Sequence, residues 1–263
     1  IELGYQFNII DEDEDFRKYK IVILPDNILC SDFLADKIDN YIADGGRLIA
    51  SYRSGLNYSE TEFAIKRLGI SLVGDAPYSP DFLVPTSEYG KRLFKTEYVM
   101  YNQGKEIKIN DAKEVVKAYI PYFNRTWEHF CSHLHTPSSH KYGYPGITEC
   151  KGNYYFMHPI FSIYQEKHPK WCKEFLRDVL ETLIPQPLIK HNGPSTMTVT
   201  VNEQKEKGRY IIHILHYIPN KIADEILTIE DVIPLYNIKL SVCLPHAVNG
   251  VTCLLYTSDA ADE

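Results

Sequence analysis

The sequence predicts an α/β fold: a parallel sheet with flanking helices over residues 1–187, followed by a partial antiparallel β-domain over residues 188–252. Three observations carry that expectation. Ile21-Val22-Ile23-Leu24 is an unbroken, largely β-branched run, the pattern of a strand buried on both faces. From Phe33 onward, Phe33, Leu34, Ile38, Tyr41 and Ile42 fall at helical spacing, with Asp36, Lys37, Asp39 and Asn40 opposite. From Thr196 the period drops to two, with Met197, Val199 and Val201 alternating with Thr198, Thr200 and Asn202.

Taken in order, Tyr5–Ile10 reads as an opening strand. Pro25-Asp26 stops the Ile21–Leu24 strand, Ser31 is placed as an N-cap with Asp32 in the first turn, and Gly45-Gly46 ends the helix before Leu48-Ile49-Ala50. Strand, helix and strand within ~30 residues form a right-handed βαβ unit. Beyond it, Ser59–Leu68 is amphipathic and reads as a helix, Ile70–Val73 as a strand, and the proline-rich 74–85 as a loop. Glu97–Lys108, with Tyr98 and Met100 and later Ile107 and Ile109 alternating, suggests two strands around an Asn102–Gly104 turn, and Val115–Ile120 and Asn153–Met157 are further strands. Pro169–Leu183 is an amphipathic helix, and Pro185 and Pro187 read as a linker.

The last stretch, Cys253–Glu263, has no relation to the pattern before it and matches the in-frame translation of a transposon-based sequencing adapter, so it is set aside from the fold. Without Asp259, Asp262 and Glu263 the chain keeps 32 acidic residues against 28 basic, a net charge of −4, which does not suggest nucleic acid. The five remaining cysteines, Cys30, Cys131, Cys150, Cys172 and Cys243, lack CxxC spacing and read as reduced thiols of a cytoplasmic protein. No apolar run approaches the ~20 residues needed to cross a bilayer. The chain starts at Ile1 without a leader pattern, and its natural N-terminus is expected to lie upstream.

The most polar and aromatic segment is Tyr122–Gly146. Asn124, Arg125, Trp127, Glu128, His129, His133 and His135 are its candidate substrate-cleft residues, because aromatic rings beside Arg and His suit carbohydrate contact. His129 and His133 would share one face of a helix, as two zinc ligands do, and Cys131 and His140 are near in sequence. With no HExxH or CxxC spacing, the segment reads instead as hydrogen-bonding and stacking groups, with no metal and no cofactor. Glu128, a lone loop acid, reads as a partner for Arg125 or His129.

Leu24-Pro25-Asp26, the helix, and then Asp44–Ser51 (DGGRLIAS) resemble the core of class I glutamine amidotransferase-like domains, a flavodoxin-like arrangement. More closely, they resemble the catalytically dead version known as the β-galactosidase trimerisation domain. The resemblance covers about Glu2 to Pro185, and Asn192–Val251 resembles the start of the small β-domain that follows. It implies an upstream (β/α)8 barrel as partner, a homo-oligomer (a trimer), and a carbohydrate substrate. Both glycosidase carboxylates would then lie in the barrel.

The same resemblance places an amidotransferase nucleophile on the turn after Leu48–Ala50, where Ser51-Tyr52-Arg53-Ser54-Gly55 contains no cysteine. Met157–Ile160 (MHPI) resembles the HPE segment of active amidotransferases: His158 is kept, and Ile160 stands in place of the acid. His158 is therefore expected as a triad remnant lacking both partners, with no catalytic residue in the chain. The expected function is a non-catalytic oligomerisation and cleft-walling part of a glycoside hydrolase. The alternatives are a free-standing amidotransferase-like hydrolase using Cys30 or a serine with His158, and a small-molecule-binding module of flavodoxin-like topology with its ligand at the strand C-termini.

Overall fold

The computed structural model describes residues 1–253. They fall into two compact units, Ile9–Pro185 and a second in which Ile1–Asn8 joins the chain from Gln186 on. The suspected adapter translation lies outside the described residues except for Cys253.

The larger unit is built from β1 (Ile21–Leu24), α1 (Asp32–Ala43), β2 (Arg47–Ser51), β3 (Ile70–Asp75), β4 (Asp81–Val84), β5 (Tyr98–Met100), β6 (Lys105–Ile109), β7 (Lys113–Pro121), β8 (Ser138–Cys150), β9 (Asn153–Phe156), α2 (Ile160–Lys167) and α3 (Lys170–Leu183). The opening βαβ unit forms, but Ile23 and Phe33, expected to be covered, are exposed: β1 is open on one face, and Phe33 lies off the buried stripe of α1 that Ala35 joins in its place. Ser31 caps α1 by accepting from Leu34 N, and Leu34, Ala35, Ile38, Tyr41 and Ile42 are buried. β1 and β2 pair in parallel, Val22 against Leu48 and Leu24 against Ala50.

The sheet as a whole is mixed, which corrects the expected parallel sheet. Its order is β1-β2-β9-β8-β7-β4-β5. Only β1, β2 and β9 run parallel; from β9 outward every pairing is antiparallel. The reason lies at Lys151-Gly152, both in the left-handed region at φ 50° and 87°. A two-residue turn of that kind returns the chain as a hairpin, whereas a parallel connection needs about a dozen residues or more.

Four local expectations also change. Ser59–Leu68 is no helix beyond a 3₁₀ turn at Lys66–Leu68. Asn57 folds the chain back instead, accepting from Thr61 N through its side chain while its own N–H reaches Glu62, and Leu56 bridges Phe63. The proline-rich 74–85 contains β4, a strand of the main sheet. The strands flanking Asn102–Gly104 do not pair with each other, since β5 joins β4 and β6 joins β3. Gly104 between them is held so close to β9 that a Cβ would sit 2.7 Å from the Met157 methyl and 3.0 Å from its carbonyl oxygen. Finally, the second half of Tyr122–Gly146 belongs to β8.

The smaller unit contains β10 (Ile189–His191), β11 (Met197–Gln204), β12 (Arg209–His216), β13 (Asn220–Ala223), β14 (Ile226–Thr228) and β15 (Leu240–Val242), paired antiparallel in three two-stranded ladders. Ile189, Met197 and Val199 form its core with Val201, Ile212, Leu235, Ile238 and Val242 against them. The expected strand at Tyr5–Ile10 is absent. In its place Gln6 uses its side-chain amide as a strand would use its backbone, donating to Val199 O at 2.9 Å and accepting from Val201 N at 3.1 Å.

Candidate functional site

Two regions of the larger unit bring polar chemistry together: the C-terminal ends of the parallel strands and the segment 122–137.

At the strand ends the chain buries two carboxylates. Asp26 follows β1 with φ 51° and is 2% exposed. It accepts from Ser51 Oγ at 2.7 Å, Ser162 Oγ at 2.7 Å and Ser162 N at 2.7 Å, so it caps α2 from a strand over a hundred residues away. α2 lacks a side-chain cap of its own because Pro159 stands at its N-cap position. Asp81, the first residue of β4, is 1% exposed; its Oδ1 lies 2.5 Å from His158 Nε2 and its Oδ2 accepts from Tyr144 Oη at 2.8 Å. Burial, then the adjacent Asp81 carboxylate, pushes the Tyr144 phenol far above its ordinary range.

His158 therefore has an acidic partner, contrary to the expectation that it lacks both. The acid comes from β4 and not from Ile160, two residues beyond the histidine. Among the described residues, the turn expected to carry a nucleophile brings no cysteine to this pair. The turn after β2 places Tyr52 at φ 54°, and Tyr52 is fixed by its N–H to Phe156 O at 2.8 Å and by Tyr155 Oη donating to its carbonyl at 2.5 Å. Ser51 and Ser54 are fully buried; Ser51 is held by Asp26, and Ser54 Oγ accepts from Ile28 N at 3.0 Å. Cys30 is 1% exposed, and burial raises its thiol to about 11. Each of these groups is held by a partner of its own, and Ser51, Ser54 and Cys30 are buried, so none of the three is presented as an activated nucleophile. The sequence spacing marks neither the Asp26 cluster with Ser51 and Ser162 nor the separate Asp81 cluster with His158 and Tyr144; Leu24-Pro25-Asp26 is the legible part of the first.

The segment 122–137 is irregular and exposed. Asn124 is a strut, accepting from Ser79 N at 3.1 Å and donating to Pro77 O at 2.6 Å. Arg125 donates to Leu134 O at 3.2 Å, closing the segment on itself. His129 stacks on Phe123 with ring centroids 3.6 Å apart and planes at 16°, while His135 packs against Tyr101 at 5.4 Å. His129 and His135 thus face different rings, His133 and Glu128 are exposed, and the helix that would align His129 with His133 does not form. Among the described residues no three His, Cys, Asp or Glu side chains gather as a metal would require. Trp127 is 85% exposed, with Phe130 and Leu134 also projecting outward.

Residues 1–67 match the model of the β-galactosidase trimerisation domain. The structure superposes on α-L-fucosidase isoenzyme 2 from Paenibacillus thiaminolyticus with TM-score 0.88 and 35% identity, covering 93% of this chain and 37% of that one. It shares its fold with a β-galactosidase from Bacillus circulans sp. alkalophilus (TM-score 0.58, 18% identity, 82% of this chain and 30% of that one). It also shares it with the cold-adapted β-galactosidase from Rahnella sp. R3 (TM-score 0.56, 16% identity, 76% of this chain and 28% of that one). The comparison with curated proteins gives no match. The chain spans well under half the length of each of these enzymes. The chain is thus similar over residues 1–67 to the β-galactosidase trimerisation domain, and over most of its length to one part of an α-L-fucosidase.

Proposed function

We infer that the chain forms the non-catalytic oligomerisation and cleft-walling part of a glycoside hydrolase, partnered by a (β/α)8 barrel encoded upstream and assembled as a trimer. The parallel strands β1, β2 and β9 are then an amidotransferase-like sheet whose active-site turn has become structural. Tyr52 holding the left-handed position after β2, and His158 following the adjacent strand β9, support that descent. A reducing, cytoplasmic setting, expected from the cysteine pattern of the sequence, belongs to the same proposal.

The observation that carries the wall is Trp127, 85% exposed on a segment that Asn124 and Arg125 hold in place. An indole face on an anchored loop offers a stacking surface for a pyranose ring, with Arg125, Glu128, His129, His133 and His135 as surrounding hydrogen-bonding groups. The sugar is of the galactoside or fucoside class named for the structural relatives. In an enzyme containing the barrel, Trp127→Ala and Arg125→Ala should raise KM by roughly 5- to 150-fold and leave kcat nearly unchanged, the signature of a residue that binds substrate and transition state alike. Unchanged KM, with dissociation of the assembly on a sizing column, would make the segment an interface instead.

A further inference from the structure

Two surface depressions flank α1 and differ in charge. One, of about 650 Å³, lies at the N-terminal ends of β2 and β9, where Arg47, Lys66, Arg67 and Lys151 outnumber Asp39 and Asp111. Lys66 is paired with Glu62 at 3.2 Å. Arg67 and Lys151 make no ion pair with any described residue, and both are exposed. In the other depression Asp15, Asp36 and Asp44 outnumber Arg17 and Lys37, and the exposed run Asp11-Glu12-Asp13, whose Glu12 carbonyl accepts from Lys37 Nζ, leads into it. Asp11 Oδ1 accepts from Asp13 N at 3.1 Å and Glu14 N at 3.3 Å, so the run is held as a turn. Glu14 and Asp15 are occupied by Lys18 and Arg17, while Asp11, Glu12 and Asp13 make no ion pair with any described residue. Asn40 borders both depressions, which makes them neighbouring but different surfaces.

A three-fold ring cannot be closed by a surface pairing with itself; each copy must offer two different, complementary patches. Residues 1–67, the part that matches a trimerisation domain, contain the acidic run together with Arg47, Lys66 and Arg67. We propose that Asp11–Asp13 of one copy docks into the Arg47–Arg67–Lys151 depression of a second copy, forming the head-to-tail contact of a closed ring. This rests on the oligomer reading above and assigns it a surface. Charge complementarity sets which faces meet and makes association sensitive to salt.

Sedimentation velocity of the full chain, over a range of concentrations at low and high salt, tests the contact. The wild type should sediment as a trimer whose dissociation constant rises at least ~10-fold at high salt. Arg67→Glu and Asp13→Lys should each weaken association at least ~10-fold, and the two together should recover to within ~3-fold of wild type. Lys151→Glu serves as a second basic variant should Arg67→Glu fail to fold, as judged by circular dichroism. A trimer indifferent to these changes, or a double variant no better than either single one, overturns the proposed surface while leaving the oligomer reading intact. A wild type that stays monomeric at every concentration overturns both.

Discussion

His158 Nε2 and Asp81 Oδ1 lie 2.5 Å apart, with both side chains 1% exposed. The two residues are separated by 77 positions in sequence, and their bond joins the end of β9 to the start of β4. In an active amidotransferase a histidine at this place would pass a proton to a nucleophile. Here its Nε2 meets a carboxylate that Tyr144 also holds, a buried contact that ties the two strands together.

That role predicts a stability effect without a catalytic one. Removing one member of a buried, hydrogen-bonded pair leaves the other unsatisfied, which costs about 1–3 kcal/mol. His158→Ala and Asp81→Ala should each lower the urea midpoint accordingly, and the wild type should release no ammonia from glutamine. Ammonia release that disappears in His158→Ala would show a working site in place of a fastening.

Asp26 should hold α2 in the same way. Asp26→Ala removes the acceptor for Ser51 Oγ, Ser162 Oγ and Ser162 N together, and should destabilise the chain by at least ~2 kcal/mol. Hydrogen exchange would localise the loss: the Ser162 amide and those following it should lose protection while α3 keeps its own. Equal protection in α2 before and after the substitution would rule out the cap.

Gly104→Ala should be costly although it is a change of one methyl. The added Cβ would meet the Met157 carbonyl at 3.0 Å and His158 Cδ2 at 3.1 Å, and the backbone oxygen cannot rotate away. Overpacking of this kind costs about 1–3 kcal/mol, readable as a lower thermal midpoint.

The buried thiols give a pH dependence with a definite sign. Burial raises Cys30 to about 11 and Cys172 to about 12, above the 9.0 of a free thiol. The folded chain thus keeps protons that the unfolded chain releases, so stability present below pH ~9 should fall as pH rises from there toward 11–12. Tyr144 and Tyr154, also raised by burial, act in the same direction at higher pH. Denaturation midpoints that stay flat from pH 8 to 11 would contradict this.

Trp127 separates binding from folding. At 85% exposure its replacement by alanine should leave the stability of this chain within ~0.5 kcal/mol, whatever it does to KM in the whole enzyme. A larger loss would mean that the indole has a structural partner.

The sequence by itself determined the elements whose chemistry is local. The Ser31 cap, the helix α1, the strand β1 and the alternation of β11 need only neighbours within a few residues, and these elements formed where the pattern placed them, although Ile23 and Phe33, read as inward, are exposed. α3 likewise showed its Cys172, Phe175, Val179 and Leu180 face. The tertiary structure decided whatever depended on distant partners. Sheet direction turned on a two-residue turn at Lys151-Gly152, and α2 became a helix because a carboxylate from another strand capped it. Gln6 replaced a strand with one side-chain amide. The acid beside His158 came from a proline-rich stretch that reads as loop, because hydrogen bonds between buried polar groups depend on distance in space and carry no mark in sequence spacing.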